Sequence, residues 1–354
     1  MKLTLVTDAW TPQVNGVVRT LVTTVEALKA AGHHVQTITP SQFRSVPCPT
    51  YPEIRLALTR WRKVARMIRK FEPDAIHIAT EGPLGIAARR YCVRHKLPFT
   101  TAFHTRFPDY VSARTGLSPE LFWSYLRWFH KPSRNILTAT PRLAAELAMR
   151  GLPHTVLWSR GVDLSLFSPR HAPHPAYANL TRPIMLCVGR VAVEKNIETF
   201  LKAPVPGTKV VVGDGPALER LKRDYPQVTF LGALHGDELA AAYAGADVLA
   251  FPSLTDTFGL VMVEALASGV PVAGFPVPGP LDVIGEDGRG VVPGWIAPIG
   301  GVDPDFTQAI SKALTCARAD CQAYARHFSW DAAIAQFISA LQPLPDPPLP
   351  HEEA

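Results

Sequence analysis

Two carboxylates stand out in the run Pro252-Ser253-Leu254-Thr255-Asp256-Thr257-Phe258-Gly259-Leu260-Val261-Met262-Val263-Glu264-Ala265, eight positions apart (264 minus 256) with a glycine between them. An ionised carboxylate only accepts hydrogen bonds, and each of its oxygens can take more than one, so the pair suits a ligand rich in hydroxyls. The run reads as the end of a strand, a glycine-permitted loop and the start of a helix. Asp256 in the loop can hold sugar hydroxyls, and Glu264, one or two turns into the helix, can accept both hydroxyls of a ribose. Glu264 is surrounded by Val261, Val263, Ala265 and Leu266, and a carboxylate drawn into such a setting requires partners.

A second run supplies the opposite charge. Gly189-Arg190-Val191-Ala192-Val193-Glu194-Lys195-Asn196 follows a β-branched stretch and opens a helix. Arg forks onto two phosphate oxygens and Lys acts as a mobile point charge, so Arg190 and Lys195 suit a diphosphate and the charge it develops on leaving. Gly213-Asp214-Gly215-Pro216 follows the next strand and either accommodates a base or turns the chain. It lacks the third glycine of a dinucleotide fingerprint, which excludes a nicotinamide cofactor. Near the N-terminus, Asp8-Ala9-Trp10-Thr11-Pro12-Gln13-Val14-Asn15-Gly16-Val17 sets Gly16 at a helix start, where backbone N–H groups can face an anion or simply turn the chain. His104 sits at the carboxyl end of a strand, placed either to contact a sugar or to serve as a structural histidine. Asp303-Pro304-Asp305 has the letters of a metal-binding pair but reads as a turn. The five cysteines form no CxxC pair and no cluster with histidine, so no disulfide framework and no zinc site is indicated.

These loops need a scaffold that presents strand ends. Short β-branched runs alternate with helical patterns along all 354 residues, which predicts parallel sheets built from βαβ units. Strands are expected at Leu3–Thr7, Val35–Thr39, Ala75–Ile78, Phe99–Phe103, Ile136–Ala139 and Thr155–Leu157. A second set is expected at Ile184–Val188, Lys209–Val212, Thr229–Leu231, Val248–Phe251 and Pro271–Ala273. Helix Val18–Ala31 carries Leu21, Val25 and Leu28 at helical spacing and ends at Gly32. The fold class expected is therefore α/β: two Rossmann-like doubly wound domains facing a cleft, residues 1–168 and 184–329. A proline-rich linker at 169–183 joins them, a C-terminal crossover helix at 330–342 returns to the first domain, and a disordered tail occupies 343–354.

Composition narrows the partners. The chain is 47% hydrophobic and carries a net charge of +6, which fits an anionic partner. No apolar stretch reaches the length of a bilayer crossing, and the first residues lack a secretory signal. A cytoplasmic protein, with peripheral contact at the cytoplasmic face of a membrane, is expected. Arg60-Trp61-Arg62-Lys63-Val64-Ala65-Arg66-Met67-Ile68-Arg69-Lys70-Phe71 places Trp61, Val64, Ala65, Ile68 and Phe71 on one stripe and six cations opposite. Such a helix either lies on an anionic leaflet or packs on the sheet. Phe122, Trp123, Tyr125, Trp128 and Phe129 add an aromatic cluster. No nucleic-acid-binding signature is present.

Together these segments resemble the retaining glycosyltransferases of family 4, with the two-domain GT-B fold, over nearly the whole chain. The Asp256–Glu264 run is similar to the EX7E motif of that family, with Asp where Glu is usual. That form, with Tyr125-Leu126-Arg127-Trp128-Phe129-His130 and Arg160-Gly161-Val162-Asp163, resembles the branch of sulfoquinovosyl, glucosyl-diacylglycerol and phosphatidylinositol sugar transferases. The resemblance implies a nucleotide-diphosphate sugar as donor, a lipid such as diacylglycerol as acceptor, and no metal or other cofactor. It implies that Gly16 lets its loop approach the donor phosphates, that Gly189 and Gly213 are among the donor-binding residues, that Arg190 and Lys195 neutralise the leaving diphosphate, and that Glu264 holds the ribose. Asp256 and the backbone N–H groups near Phe258, Gly259 and Leu260 would bind the transferred sugar, and His104 would contact it near the C6 hydroxyl. A non-hydrolysing nucleotide-sugar epimerase or a sugar phosphorylase shares the fold and is the rival; a non-catalytic nucleotide or nucleic-acid binder is the rival of another class.

Overall fold

A computed structural model describes residues 1–13, 15–48, 51–104 and 118–345. The chain forms two compact units, one of Met1–Trp158 with the chain from Ile334 onward, the other of Ser159–Ala333.

The first unit runs β1 (Lys2–Val6), α1 (Gly16–Ala30), β2 (His34–Ile38), β3 (Ser45–Cys48), β4 (Tyr51–Ala57), α2 (Trp61–Phe71), β5 (Ala75–Ile78), α3 (Pro83–Arg94), β6 (Thr100–Phe103), α4 (Pro119–His130), β7 (Asn135–Thr138), α5 (Pro141–Met149) and β8 (Thr155–Leu157). Six strands form a parallel sheet in the order β2-β1-β5-β6-β7-β8. Its central strands are buried on both faces, as sheets covered by helices on each side require. Helix α1 starts where Asn15 accepts from the Val18 N–H at 3.0 Å, and Gly32 closes its far end with φ +81°. Helix α3 is capped from a distance. Its own N-cap, Gly82, has no side chain, and the carboxylate of Asp8 takes that place, accepting from Leu84 N at 3.0 Å and Gly85 N at 3.3 Å. A Cβ on Gly82 would fall 2.4 Å from Asp8 Cγ.

The second unit runs β9 (Ile184–Val188), α6 (Ile197–Lys202), β10 (Thr208–Val212), α7 (Leu218–Asp224), β11 (Thr229–Gly232), α8 (Gly236–Gly245), β12 (Val248–Phe251), α9 (Leu260–Ala267), β13 (Val272–Gly274), α10 (Pro278–Val283), β14 (Gly300–Val302), α11 (Phe306–Ala313) and α12 (Arg318–Ala325). Its sheet is parallel in the order β11-β10-β9-β12-β13-β14. Met185, Phe200, Val211, Val248 and Ile310 are buried in its core. The last helix, α13 (Trp330–Ala340), brings Phe337 against His77 and Trp158 of the first unit's core.

The α/β architecture of two doubly wound sheets agrees with the sequence expectation; several details differ. The boundary lies at Trp158 rather than 168, and the proline-rich stretch 169–183 packs in the second unit. There Tyr177 is buried and donates its hydroxyl to Ala242 O at 3.0 Å. An antiparallel pair, β3 with β4, was not expected, because Pro47, Pro49 and Pro52 argue against strands. Strand β14 is built mostly of glycine and carries little strand signal. The tail expected from 343 is anchored at its start: Pro343 bridges Ala75, and Leu344 N donates to Asp74 O at 2.7 Å. The rest of that expectation, 346–354, lies outside the described residues. In α2 the apolar stripe is core, with Val64, Ala65 and Ile68 buried, while Arg60, Arg62, Lys63, Arg66, Arg69 and Lys70 are exposed. Asp305 caps α11 and Asp303 pairs with Lys312 at 2.7 Å, so the 303–305 segment serves local structure.

Candidate active site

In an open parallel sheet the ligand crevice lies beyond the carboxyl ends of the strands, where the strand order reverses. In the second unit that point falls between β9 and β12: β10 and β11 continue to one side, β13 and β14 to the other. The two runs singled out in the sequence are the loops after these two strands. Asn196 fastens them together. Its backbone is left-handed (φ +52°), a conformation asparagine tolerates, and its Nδ2 donates to Pro252 O at 3.2 Å. Thr199 Oγ1 donates to Asn196 Oδ1 at 2.8 Å and fixes the amide. Lys195, at the end of the short turn Val193–Lys195, then donates from Nζ to Asp256 Oδ1 at 2.6 Å and Oδ2 at 2.9 Å. The two side chains are 26% and 17% exposed, so the pair is partly sheltered yet accessible to a ligand. Arg190 is half-buried in the same loop. Burial pushes the Cys187 thiol, at the end of β9, up to about 12, which rules it out as a nucleophile at neutral pH.

The glycines divide by role. Gly189 has φ +147°, and a Cβ there would meet no atom within 4 Å, so its backbone can be approached. Gly213, with φ +141°, serves packing: a Cβ would lie 1.8 Å from Gly189 O. Val191 N donates to Asp214 O at 2.9 Å, so the loop after β10 buttresses the loop after β9. Gly259 adopts φ +82° as the N-cap of α9, with Phe251 and Met262 too close to admit a side chain. Phe258 is buried against Phe328, and Leu260 begins the helix. Glu264 is 3% exposed, and the Tyr243 hydroxyl donates to its Oε2 at 2.9 Å.

The second unit therefore gathers Gly189, Arg190, Lys195, Gly213, Asp256, Phe258, Gly259, Leu260 and Glu264 on loops and helix starts around one strand-order reversal. Gly16 and His104 belong to the first unit. Gly16 is the first residue of α1, and His104 follows β6 with its ring 5.5 Å from that of Trp158. At the first unit's own reversal, between β1 and β5, stand Asp8 and Glu81. Burial raises the Asp8 carboxyl to about 6, against the lowering effect of the donors from Leu84, Gly85 and Thr80. Glu81 Oε1 lies 3.2 Å from Nε2 of the buried His130, whose Nδ1 is 2.9 Å from Thr101 Oγ1. Sequence reasoning missed Asp8 and Tyr243. The signal for Tyr243 was available: one phenol in the small-residue run Ala240-Ala241-Ala242-Tyr243-Ala244-Gly245, whose hydroxyl needs a partner once buried. Among the described residues, no group of three or more His, Cys, Asp or Glu is placed to hold a metal ion.

Residues 14–166 match the family model described as Glycosyltransferase Family 4, and residues 182–316 match Glycosyl transferases group 1. The chain is 33% identical to the sulfoquinovosyl transferase SQD2 of Arabidopsis thaliana over 70% of its own length, spanning 51% of that protein. It is 30% identical to a GDP-mannose-dependent alpha-mannosyltransferase of Mycolicibacterium smegmatis, covering 80% of this chain and 82% of the relative. It is 27% identical to an alpha-monoglucosyldiacylglycerol synthase of Streptococcus pneumoniae, covering 77% and 70%. Among solved structures, Anabaena Alr3699/HepE in complex with UDP and glucose superposes with a TM-score of 0.68 at 17% identity, covering 96% of this chain and 98% of the other. Two doubly wound sheets of this kind are the GT-B fold, and the enzyme class is hexosyltransferase. The chain belongs to glycosyltransferase family 4.

Proposed function

We propose that the protein transfers a hexose, with retention at the anomeric carbon, from a UDP- or GDP-sugar to a hydroxyl of a membrane lipid such as diacylglycerol or a glycolipid. The observation that carries the donor half is the meeting of Lys195 and Asp256 across the β9–β12 reversal, with Arg190 and the open backbone of Gly189 beside it. In this reading Arg190 and Lys195 neutralise the diphosphate without a metal ion. Asp256 and the N–H groups near Phe258, Gly259 and Leu260 hold the sugar, Glu264 holds the ribose, Gly16 lets the first unit's loop approach the phosphates, and His104 contacts the sugar near its C6 hydroxyl. The bond from C1 to the phosphate oxygen breaks as the acceptor oxygen bonds C1 on the same face. The acceptor's proton passes to the departing phosphate, whose charge the two cations offset.

Three relatives' names support the substrate classes: one is GDP-mannose-dependent, one transfers sulfoquinovose, and one makes a glucosyl-diacylglycerol. No helix among the described residues is long and apolar enough to cross a membrane, and the exposed cations of α2 suit peripheral contact with anionic lipid. The test is release of UDP or GDP from UDP-glucose, UDP-glucuronate, UDP-sulfoquinovose and GDP-mannose in the presence of diacylglycerol vesicles or lipid extract. Acceptor-dependent release that EDTA leaves unchanged, with an α-linked product by NMR, is expected. Release that is indifferent to lipid, or conversion of the donor without acceptor, counts against the reading.

A further inference from the structure

Tyr243 lies on α8 with no exposed surface, its ring edge-on to Phe167 at 5.6 Å between centroids. Its hydroxyl donates across the interior of the second unit to Oε2 of Glu264, on α9, at 2.9 Å. A glutamate carboxylate turns about a broad, roughly two-fold terminal torsion, so an uncharged donor fixed on one oxygen sets the plane in which the carboxylate presents its lone pairs. A cis-diol needs that plane defined, because its two hydroxyls must reach the carboxylate together. The phenol uses one acceptor direction of Oε2, and a carboxylate offers about four. A rigid aromatic ring held by Phe167 is a better clamp than a flexible side chain, since little freedom remains to be lost when the ligand binds.

We propose that Tyr243 is a positioning residue for the donor nucleotide: it orients Glu264 to receive the two hydroxyls of the ribose, and so sets the preference for a ribonucleotide over a deoxyribonucleotide. The inference rests on the ribose assignment of Glu264 made above. It differs from a structural role for a buried tyrosine in one measurable respect. A structural hydroxyl contributes equally to binding of any nucleotide, whereas an orienting one contributes only when the ribose is complete.

The experiment measures binding of UDP and GDP, and of the 2′-deoxy form of whichever binds more tightly, by titration calorimetry with wild type, Tyr243→Phe, Glu264→Gln and the double variant. Wild type is expected to favour the ribonucleotide by about 10-fold or more, the scale of a hydrogen bond to a charged group. Tyr243→Phe should bring that ratio down several-fold, Glu264→Gln should bring it near unity, and the double variant should match Glu264→Gln. A Tyr243→Phe protein that keeps the wild-type ratio while Glu264→Gln loses it overturns the role of Tyr243 and leaves that of Glu264 intact. Unchanged ratios in both overturn the ribose assignment, and the proposal with it. Should Tyr243→Phe alone fold poorly, the exchange is read in the Glu264→Gln background. A further change of the ratio there means that Tyr243 does not act through Glu264.

Discussion

Lys195 Nζ lies 2.6 and 2.9 Å from the two carboxylate oxygens of Asp256, so the loop after β9 supplies a cation that the loop after β12 holds in place across the reversal of strand order. The sequence assigned these residues to different parts of a donor, one to phosphate and one to sugar. On the proposed donor assignment, their pairing stations the ammonium beside the carboxylate given to the sugar before any phosphate arrives, and a long flexible stem lets it shift toward a leaving group. Lys195→Ala should lower kcat by about 100- to 1000-fold, as loss of a group that stabilises developing charge does. The partly exposed pair contributes only about 0–1 kcal/mol to stability, so the melting temperature should hardly move. Steady-state kinetics beside a thermal melt check this. Turnover within a few-fold of wild type would remove Lys195 from the chemistry.

Gly213 and Gly189 share an unusual backbone but not a role. At Gly213 any side chain meets Gly189 O at 1.8 Å, and the partner atom is backbone that cannot swing aside. Gly213→Ala should therefore destabilise the protein by about 2 kcal/mol or more. Gly189→Ala bears only its own strained φ and should cost less stability while weakening nucleotide binding. Urea unfolding of both variants, with nucleotide titration of the folded fraction, separates the two. Equal losses of stability would contradict the division.

The sheets were legible because parallel strands buried on both faces leave uninterrupted runs such as Val248-Leu249-Ala250-Phe251, and because helices such as α1 announce themselves by spacing and a closing glycine. The loops after β9 and β12 were legible for a related reason: in a parallel sheet a ligand is expected at the loops that follow strands, so the runs holding Arg190, Lys195 and Asp256 stood out by position as well as by residue type. Pairings across the chain were not legible. Nothing local in Gly82 says that its cap comes from Asp8, nor in Lys195 that it meets Asp256. Composition misled at 169–183, where four prolines suggest a linker but one buried tyrosine, Tyr177, binds the stretch to its unit.

Asp8 offers a test by pH. Burial raises its carboxyl to about 6 from an ordinary 3.8, so between those values the folded protein binds more protons than the unfolded chain. Stability due to this group accordingly falls as pH rises through that window and stays lower above it. The shift corresponds to about 3 kcal/mol. His77 acts in the opposite sense: burial pushes it down to about 3 from 6.5, so the unfolded chain takes up the proton and stability rises with pH over its range. Only a difference isolates Asp8. The advantage of wild type over Asp8→Asn, from urea unfolding, should shrink by about 3 kcal/mol between about pH 3 and pH 7. A difference that grows with pH would mean that the ionised carboxylate is the form the α3 cap favours, and a flat one that folding leaves the carboxyl unshifted; either overturns the prediction.

Helix α2 separates packing from membrane contact. Val64, Ala65 and Ile68 are 0%, 2% and 1% exposed, and only Trp61 and Phe71 at the ends of the stripe are partly exposed, so attraction of α2 to lipid must come mainly from the cations opposite. Arg62, Arg66 and Lys70 are exposed, whereas Lys63 is engaged over the Phe43 ring at 4.3 Å and is better left alone. Each cation near an anionic surface is worth about 1 kcal/mol, so changing these three to Gln should weaken binding to phosphatidylglycerol-containing vesicles by about 100-fold at low salt. The melting temperature should stay within about 2 °C of wild type, since surface changes of this kind cost little. Raising the salt should erase the difference, because exposed charges are screened within about 10 Å at 0.1 M. Vesicle co-sedimentation over a salt series reads all three. Undiminished binding by the triple variant would move the lipid contact away from α2, with the exposed Leu121 and Trp128 of α4 as the next surface to change.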